Sequence, residues 1–371
     1  MLGKFRVLLS SDFHVNVYSW RKEVVDDLLN EEAEVSLVVP YGEKLNYFIK
    51  KGCKLYDINL DRSNLGILDN IILLRQYYKV IKKDNPDIVL LYGTKSMLYP
   101  GIICRLMGIK YIVNINGLGT VESLGDIVKN IILTLYKYVV PKASCTFFQN
   151  KYNFNKLKEL KILSKNSCLI PGSGVNIKKY KLLDFPKEER IVFLFCARLI
   201  PEKGLFQFLD AAKILKEECA NVDFNIIGMG DASMVAKVEE YNAFVNYYGF
   251  QSDVKDFIKN AQCIVLPSYY GEGISNSLLE SAASGRAIIT TNMPGCRETV
   301  INNETGYIIN PQSTNELVYA MKKFINLTNN ERITMGLKAR KYVEKHFNRK
   351  IVQEAYIREI KKALSLEGKN A

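Results

Sequence analysis

The chain has 371 residues, of which 48% are hydrophobic and 24% are charged. This composition excludes a disordered chain, and the length suits two compact domains better than one. The net charge of +12 is uneven, because residues 1–184 hold 27 Lys/Arg against 17 Asp/Glu and residues 185–371 hold 24 against 22. The basic first half therefore favours an anionic partner: a membrane surface, a phosphorylated lipid or a nucleic acid.

Short β-branched stretches alternate with longer helical stretches along the whole chain. In the first half the predicted strands are 5–9, 35–39, 88–92, 111–115, 145–148 and 168–170, with helices at 67–84, 96–107 and 126–140. In the second half they are 191–196, 223–227, 263–266, 287–290 and 306–309, with helices at 204–218, 231–247, 275–284, 313–326, 329–346 and 349–366. This alternation predicts parallel sheets covered by helices on both faces.

We therefore expect an α/β protein of two Rossmann-like domains that face each other across a cleft. The polar stretch 181–189 sets the boundary, which gives domains 1–184 and 185–371. The C-terminal helices are expected to pack back toward the first domain, with the last helix crossing to it.

The chain lacks the usual sequence patterns of a metal site. The chain has two histidines and no Asp-x-Asp sequence, and its eight cysteines are scattered without C-x-x-C spacing. We predict no metal site and reduced cysteines, as in a cytosolic protein. The first residues are typical of a strand and not of a signal peptide, and no apolar run reaches the roughly 18 residues that a membrane span needs.

Two carboxylates stand eight residues apart, at Glu272 in a glycine-flanked loop and Glu280 in a predicted helix. Ser275 and Asn276 are good N-cap residues, and the free N–H groups at a helix start carry a partial positive charge. Glu280 lies about 7.5 Å further along the helix than Ser275 at 1.5 Å per residue. The pattern favours a ligand with a central phosphate and hydroxyl-rich groups at both ends, such as a nucleotide sugar.

Two further motifs follow predicted strands, where ligands bind in open parallel sheets. Arg198 and Lys203 come after strand 191–196 and are suited to gripping phosphate oxygens. Gly228 and Gly230 follow strand 223–227 but lack the third glycine of the dinucleotide fingerprint, so they favour close backbone approach.

These motifs occur along the second half in the same order as in glycosyltransferase family 4, whose two-domain fold is called GT-B, and the second half resembles that family. The matching segments are 197–204, 226–230, 249–254, 266–268, 272–280, 294–298 and Gly306. The family's E-x7-E motif corresponds to Glu272 and Glu280. The resemblance implies a retaining transferase that needs no metal and no cofactor besides its nucleotide-sugar donor.

The resemblance also implies roles for single residues of the donor site. Arg198 and Lys203 would bind the diphosphate and act in catalysis with Glu272, which contacts the transferred sugar. Glu280 would contact the ribose, and Val254 would lie by the base. The remaining donor-binding candidates are Gly228, Gly230, Gly273, Ser275, Asn276 and Ser277.

The first half resembles a narrower subgroup that extends polyprenyl-diphosphate-linked saccharides in bacterial envelope synthesis. The matching segments are 18–21, 93–96, 116–119, 148–150 and 172–175. The subgroup often has Asn-Phe-Arg where this chain has Ser19-Trp20-Arg21, and Lys-Pro where it has Lys95-Ser96. Many members of the family also carry a glycine pair after the first strand, where this chain has residues 10–14, Ser-Ser-Asp-Phe-His. Candidate acceptor or cleft residues are His14, Arg21, Lys95 and Asn116.

Residues 129–181 hold eleven lysines against the single acid Glu159, with apolar residues between them. An anionic membrane surface is the expected partner of this stretch, and a solvated basic face is the alternative. No nucleic-acid-binding module is recognisable, so nucleic acid is not expected.

The sequence thus predicts transfer of a hexose or N-acetylhexosamine from a UDP-sugar to an undecaprenyl-diphosphate saccharide in bacterial capsule, O-antigen or glycan assembly. The expected location is the cytoplasm, at the inner face of the cell membrane. A GT-B-like nucleotide-sugar epimerase, a transferase with a soluble acceptor and a non-catalytic sugar-nucleotide-binding protein remain open.

Overall fold

A computed structural model describes residues 5–61, 66–118, 124–187 and 190–365. Gly119 of the predicted acceptor segment and residues 188–189 of the predicted boundary lie outside these ranges. The chain divides into two compact units, residues 1–173 with 350–371 and residues 174–349. No helix within the described ranges is both long and apolar enough to cross a membrane.

The first unit contains one parallel sheet. Its strands are β1 (Arg6–Ser10), β2 (Glu34–Val38), β3 (Lys54–Tyr56), β4 (Ile88–Tyr92), β5 (Lys110–Ile115), β6 (Cys145–Phe148) and β7 (Ser167–Leu169). They pair in the order β3-β2-β1-β4-β5-β6-β7. The helices are α1 (His14–Trp20), α2 (Lys22–Asn30), α3 (Asn46–Lys50), α4 (Ile67–Asp84), α5 (Lys95–Met107), α6 (Asp126–Val139), α7 (Lys151–Glu159) and, from Lys350 onward, α14 (Arg349–Ala363).

Apolar side chains on both faces of this sheet explain why its strands form. Along β1, Val7 and Leu9 enter one core, while Leu8 enters the core on the other face. The first core is closed by α2, α3 and α14, and the second by α4, α5 and α6. Such near-continuous apolar runs are typical of parallel strands that are covered twice.

The second unit repeats this plan with a smaller parallel sheet. Its strands are β8 (Ile191–Cys196), β9 (Val222–Ile227), β10 (Asn246–Tyr247), β11 (Cys263–Leu266), β12 (Ala287–Thr291) and β13 (Gly306–Ile309). They pair in the order β10-β9-β8-β11-β12-β13. The helices are α8 (Leu205–Glu218), α9 (Ala232–Glu239), α10 (Lys255–Asn260), α11 (Asn276–Ala283), α12 (Thr314–Ile325) and α13 (Asn329–His346).

The predicted helix at 231–247 is wrong in its second half. Helix α9 ends at Glu239, and Asn246 and Tyr247 instead form β10, the edge strand that pairs with Asn225 and Ile226 of β9. The backbone N–H and C=O groups of this segment form hydrogen bonds with the open edge of β9, in place of the bonds that they would make inside a longer helix. The short strand β3 is the other strand that the sequence pattern did not predict.

The boundary between the units falls at 173/174 instead of at 184/185. The polar stretch after Lys181 resembles a linker in sequence, but the buried Arg286 donates hydrogen bonds to the carbonyls of Leu183 (3.3 Å) and Asp184 (2.7 Å). Tyr180 also lies in the second core. Residues 174–184 therefore belong to the second unit.

Most of helix α14 belongs to the first unit, although it is the last helix of the chain. The ring of Tyr356 is fully buried, with its centroid 4.5 Å from that of Phe147 and 5.9 Å from that of Tyr92. On the same helix, Lys361 pairs with Glu31 at 2.8 Å. The chain therefore crosses from the first unit to the second and back again.

Tyr356→Ala should lower the free energy of unfolding of the first unit by about 3 to 5 kcal/mol, the range for losing a fully buried aromatic ring. Denaturant unfolding followed by circular dichroism, with hydrogen exchange of β6 and α14, measures the loss. Tyr319→Ala is the matched control, because Tyr319 on α12 is exposed. Equal stability of the two variants would contradict the anchoring role of Tyr356.

Candidate functional site

The charged residues of the second unit gather where its sheet changes direction. From β8 the chain continues to β9 and β10 on one side, whereas β11, β12 and β13 follow one another on the other side. The carboxyl ends of β8 and β11 therefore flank a crevice, the usual ligand site of an open α/β sheet. Arg198 and Lys203 follow β8, and Glu272 follows β11.

Lys203 and Glu272 form an ion pair in this crevice. The Nζ of Lys203 donates to Oε1 of Glu272, and the two side chains are only 8% and 19% exposed. Gly204, next to Lys203, makes the approach possible: it has φ +76°, and a Cβ there would lie 2.2 Å from the carbonyl oxygen of Pro267. A glycine is thus required for the loops after β8 and β11 to bring the two charges together.

The loop that carries Glu272 is fixed by backbone hydrogen bonds on both sides. Before it, the Tyr269 N–H donates to the carbonyl of Glu202 at 2.8 Å. After it, the Ser275 N–H donates to the carbonyl of Gly295 at 2.8 Å. The carboxylate is consequently positioned by a rigid frame as well as by Lys203.

An aromatic ring accompanies the two cations. The centroid of the Tyr270 ring lies 5.3 Å from Nζ of Lys203 and 5.9 Å from Cζ of Arg198. These distances are within the range of cation–π attraction. Arg198 is exposed, so its guanidinium can reach a ligand while the ring limits its freedom.

Helix α11 begins at this crevice with the predicted N-cap. Ser275 is buried and extended, its side chain makes no capping bond to the helix, and its Oγ lies 3.3 Å from Oγ of Ser277. Asn276 has a buried Oδ1 without a hydrogen-bond partner among the described residues. That oxygen is an acceptor, so the groups of the helix start that suit an anion are its backbone N–H groups and the hydroxyls of Ser275 and Ser277.

Glu280, on the same helix, is surrounded by groups from distant parts of the second unit. Its carboxyl is hydrogen-bonded by Tyr180 and lies near the charges of Lys179, Arg349 and Asp253. Burial raises the pKa of the Glu280 carboxyl, and the Tyr180 hydrogen bond and the two cations oppose the rise. Burial likewise lowers the pKa of Lys179 and raises that of Tyr180.

Val254 lies next to Asp253, which is near enough to Glu280 to influence its pKa. Val254 packs on the core of the second unit and starts helix α10. Asp253 accepts a hydrogen bond from the Lys255 N–H at 3.1 Å, which fixes the turn. The segment predicted to lie by a base is thus close to the carboxylate predicted to bind a ribose.

Gly228 and Gly230 allow the loops after β8 and β9 to pack closely. A Cβ on Gly228 would lie 1.8 Å from the carbonyl oxygen of Ala197, and one on Gly230 would lie 2.7 Å from Cβ of Leu199. The Leu199 N–H also donates to the carbonyl of Met229 at 2.8 Å. The two glycines therefore shape the loop that holds Arg198.

In the first unit, three of the four candidate residues lie at the carboxyl edge of the sheet. His14 starts α1 after β1, Lys95 starts α5 after β4, and Asn116 follows β5. The Nζ of Lys95 donates to the carbonyl of Asp61 at 2.8 Å, and Oδ1 of Asn116 accepts from Gln149 at 3.0 Å.

His14 has a buried Nδ1 without a hydrogen-bond partner among the described residues. Burial and the charge of Lys44 lower the pKa of His14, which favours the neutral imidazole. Gly42 packs against the ring, because a Cβ there would lie 2.3 Å from Cε1. His14 is therefore held in place at the edge of the sheet.

Arg21 differs from the other three candidates because it is buried inside the first unit. Its guanidinium lies 4.4 Å from the ring centroid of Tyr92 and donates to Oγ of Ser173 at 3.1 Å. A cation between aromatic rings is stabilised by their negative faces. These contacts give Arg21 a packing role in the unit.

Sequence reasoning missed the side chains that surround the two glutamates. Tyr180, Lys179 and Arg349 act on Glu280 from positions 69 to 101 residues away, and the chain pattern gives no sign of these contacts. Tyr270 lies two residues before Glu272, and this position in the same loop could have identified it as a residue of the candidate site.

The two parallel-sheet units, with a charged crevice at the switch point of the second, define the GT-B class of glycosyltransferases. Residues 6–150 match the family model "Glycosyl transferase 4-like", and residues 179–342 match "Glycosyl transferases group 1". One match falls in each unit. The chain therefore belongs to these glycosyltransferases, and the family predicted from its motifs is confirmed.

Relatives cover most of the chain. It is 26% identical over 354 residues to the N,N'-diacetylbacillosaminyl-diphospho-undecaprenol alpha-1,3-N-acetylgalactosaminyltransferase of Campylobacter jejuni, covering 90% of this chain and 92% of the relative. It is 24% identical to the UDP-Gal:alpha-D-GlcNAc-diphosphoundecaprenol alpha-1,3-galactosyltransferase of Escherichia coli, covering 79% and 80%.

Solved structures share the fold. A glycosyltransferase from Rickettsia africae superposes with a TM-score of 0.79 at 18% identity over 100% of both chains. Anabaena Alr3699/HepE in complex with UDP and glucose superposes with a TM-score of 0.78 at 14% identity, over 96% of this chain and 99% of that one. The GT-B fold expected from the sequence is therefore confirmed.

The raised pKa of Glu280 predicts a defined pH dependence of stability. A carboxyl that binds its proton more tightly when folded contributes less stability as the pH rises above its unfolded value of 4.5. Glu280→Gln removes the desolvated charge, so the stability of this variant relative to wild type should increase between pH 4.5 and about pH 7. Unfolding midpoints of both proteins at the two pH values measure this change.

Glu316→Gln is the control with the opposite sign. Hydrogen bonds from Asn310 lower the pKa of Glu316, so its stabilising contribution is lost as the pH falls. The stability deficit of the Glu316→Gln variant relative to wild type should therefore be larger at the higher pH than at the lower pH. The same pH trend in both variants would refute the assignment for Glu280.

Proposed function

We propose that this protein transfers a hexose or N-acetylhexosamine from a UDP-sugar to an undecaprenyl-diphosphate-linked saccharide. The observation that carries the proposal is the Lys203–Glu272 ion pair at the switch point, with Glu272 in the loop that leads into α11. It presents cationic and hydroxyl-binding groups at the place where nucleotides bind in such sheets. The acceptor class follows from two relatives whose names specify undecaprenyl-diphosphate saccharides.

In this proposal Arg198, Lys203 and the N–H groups at the start of α11 bind the donor diphosphate. Positive charge at that position stabilises the negative charge that develops on the leaving group. Glu272 accepts hydrogen bonds from hydroxyls of the transferred sugar. Glu280, with Tyr180 beside it, binds the ribose at the other end.

We propose retention of configuration by attack from the front face. The bond between the anomeric carbon and the diphosphate oxygen breaks, the acceptor oxygen bonds on the same face, and the acceptor proton passes to the departing phosphate. A double displacement would need a carboxylate free to attack the anomeric carbon. Glu272 is held by Lys203, which disfavours that role. Both relatives form alpha linkages, which supports retention from alpha-linked UDP-sugars.

The proposal includes no metal requirement, because protein groups supply the positive charge at the diphosphate. It also places the enzyme at an anionic membrane surface, reached through the lysine-rich stretch 129–181. Lysines attract anionic headgroups, and a lipid-linked acceptor brings the reaction to that surface. A setting in bacterial capsule, O-antigen or glycan assembly fits the same acceptor class.

Glu272→Gln should lower the transfer rate at least about hundredfold while UDP binding stays near the wild-type value, since the lost contacts are to the reacting sugar. Glutamine is preferable to alanine, because it still accepts a hydrogen bond from the nearly buried Lys203. A donor screen with a polyprenyl-diphosphate saccharide, analysed by mass spectrometry, gives the rates, and calorimetry gives UDP binding.

Asp223→Asn is the matched control for losing an ion pair. Asp223 on β9 pairs with Lys216 at 2.8 Å and with Arg190 at 3.0 Å, and it belongs to none of the loops that form the crevice. The control variant should keep its transfer activity. Full transfer by a folded Glu272→Gln protein would eliminate the site assignment, and production of an epimer from UDP-sugar alone would favour an epimerase.

Excess EDTA should leave the transfer rate within about twofold of the untreated enzyme, because protein cations take the place of a metal ion. Proton NMR of the new glycosidic linkage should show the anomeric configuration of the donor. A rate that collapses with EDTA and returns with a divalent ion would refute metal independence, and an inverted linkage would refute front-face attack.

A further inference from the structure

Helix α4 carries apolar residues on two faces instead of one. Leu73, Tyr77 and Ile81 are buried in the core of the first unit. A second row is exposed to solvent, and it begins with Leu68 (76% exposed) and Ile72 (50% exposed). A surface helix that only covers a core has one apolar stripe, so the outer row is not explained by the fold.

Helix α6 repeats this arrangement. Tyr136 and Val139 are buried, whereas Ile127 (78% exposed) and Ile131 (56% exposed) face outward. Their spacing of four residues places them on one side of the helix. Tyr138 continues the same side and is also exposed.

Helix α5 lies between these two in the same layer and joins their outer faces. The three helices share one core on one face of the sheet. Tyr99 and Ile102 on α5 are half-buried, and Leu106 one turn further is exposed. Arg105 stacks on the ring of Tyr138 with a distance of 3.8 Å to its centroid, which ties α5 to α6.

The exposed aliphatic residues of α4 and α6 lie at one end of the layer. Each helix begins at the carboxyl end of the strand before it, β3 for α4 and β5 for α6. The first turns of both helices therefore lie at the carboxyl edge of the sheet. His14 and Asn116, the acceptor-side candidates, follow strands at that same edge.

The charge of α4 and α6 complements an anionic surface. The two helices contain six cations, which follow their first turns: Arg75, Lys79, Lys82, Lys83, Lys129 and Lys137. Their exposed acids are Asp69 and Asp126, both in first turns. Aliphatic residues surrounded by lysines are the composition of a helix that lies in the interface of an anionic bilayer.

We propose that the outer face of α4 and α6, defined by Leu68, Ile71, Ile72, Ile127 and Ile131, inserts into the headgroup region of an anionic membrane leaflet. The proposal rests on the proposed function, because it is the lipid of the acceptor that brings the enzyme to a membrane. It adds an apolar contact to the electrostatic attraction of residues 129–181. The inserted edge is the one at which the acceptor-side residues lie.

The test is flotation of the purified full chain with vesicles of phosphatidylglycerol and phosphatidylcholine. The variant L68Q/I72Q/I127Q/I131Q should bind at least about tenfold more weakly than wild type, because each aliphatic side chain adds its transfer free energy to binding. Raising the salt concentration should weaken wild-type binding only in part, since apolar insertion is not screened.

L337Q/I351Q is the matched control, because Leu337 and Ile351 are exposed aliphatic residues on α13 and α14. It should bind vesicles as wild type does. I127W gives a direct measure of insertion: its emission should shift to the blue on vesicles and be quenched by brominated acyl chains. Wild-type affinity in the fourfold variant, or no quenching of I127W, would overturn the proposal.

Transfer assays separate this surface from the proposed function. The fourfold variant should keep wild-type rates on a short-chain, water-soluble polyprenyl-diphosphate saccharide and lose them on the same saccharide embedded in vesicles. Absence of transfer by wild type on both acceptors, with vesicle binding intact, would sink the proposed function alone.

A second copy of the chain and a different protein are the competing occupants of this face, and each predicts a different experimental result. A wild-type dimer that becomes monomeric in the fourfold variant, with vesicle binding unchanged, would assign the face to a second copy and overturn the membrane proposal. Wild type that binds no vesicles of any composition would do the same and leave a protein partner as the occupant.

Discussion

The ion pair between Lys203 and Glu272 depends on the close approach of Gly204 to Pro267 in the second unit. The loops after β8 and β11 come from strands that are neighbours in space but far apart in sequence. They can converge because position 204 has no Cβ to meet the Pro267 carbonyl. Nearly buried charges stabilise each other only when both are present, so each loop holds the other in place. The contacts that position the two charges of the candidate site are thus the same contacts that hold the two loops together.

In the proposed donor site, this pairing also affects which charges act on the diphosphate. Glu272 balances Lys203, so the net positive potential of the crevice comes from Arg198 and from the start of α11. The second half of the chain has nearly equal numbers of cations and acids, which shows that overall charge is a poor guide to this site. A few fixed groups suffice because fixed donors cost little reorganisation when the ligand's charge develops.

The sequence predicted those parts of the fold that local patterns control. The bounds of β4, β6, β8, β11 and β13 agree with prediction, because buried β-branched runs flanked by turns mark parallel strands. Strands β3 and β10 were missed, since two or three residues at a sheet edge leave no periodic pattern. The placement of Arg198, Lys203 and Glu272 in loops that follow central strands was predictable because β8 and β11 are recognisable in the sequence, while the roles of these residues stay predictions. Tyr180 was not, because its contact with Glu280 spans one hundred residues.

The same long-range contacts connect the Glu280 end of the site to the point where the chain leaves the second unit. Val175 forms a bridge with Asn348, and the Val175 N–H donates to the carbonyl of Phe347 at 2.7 Å. Arg349, the last residue of the unit, bonds the carbonyl of Gly174 at 3.1 Å, and its charge also lowers the pKa of Glu280. The guanidinium of Arg349 therefore acts both on the backbone where the chain enters the second unit and on the Glu280 carboxyl, so the end of this unit and the far end of the candidate site share one charged group.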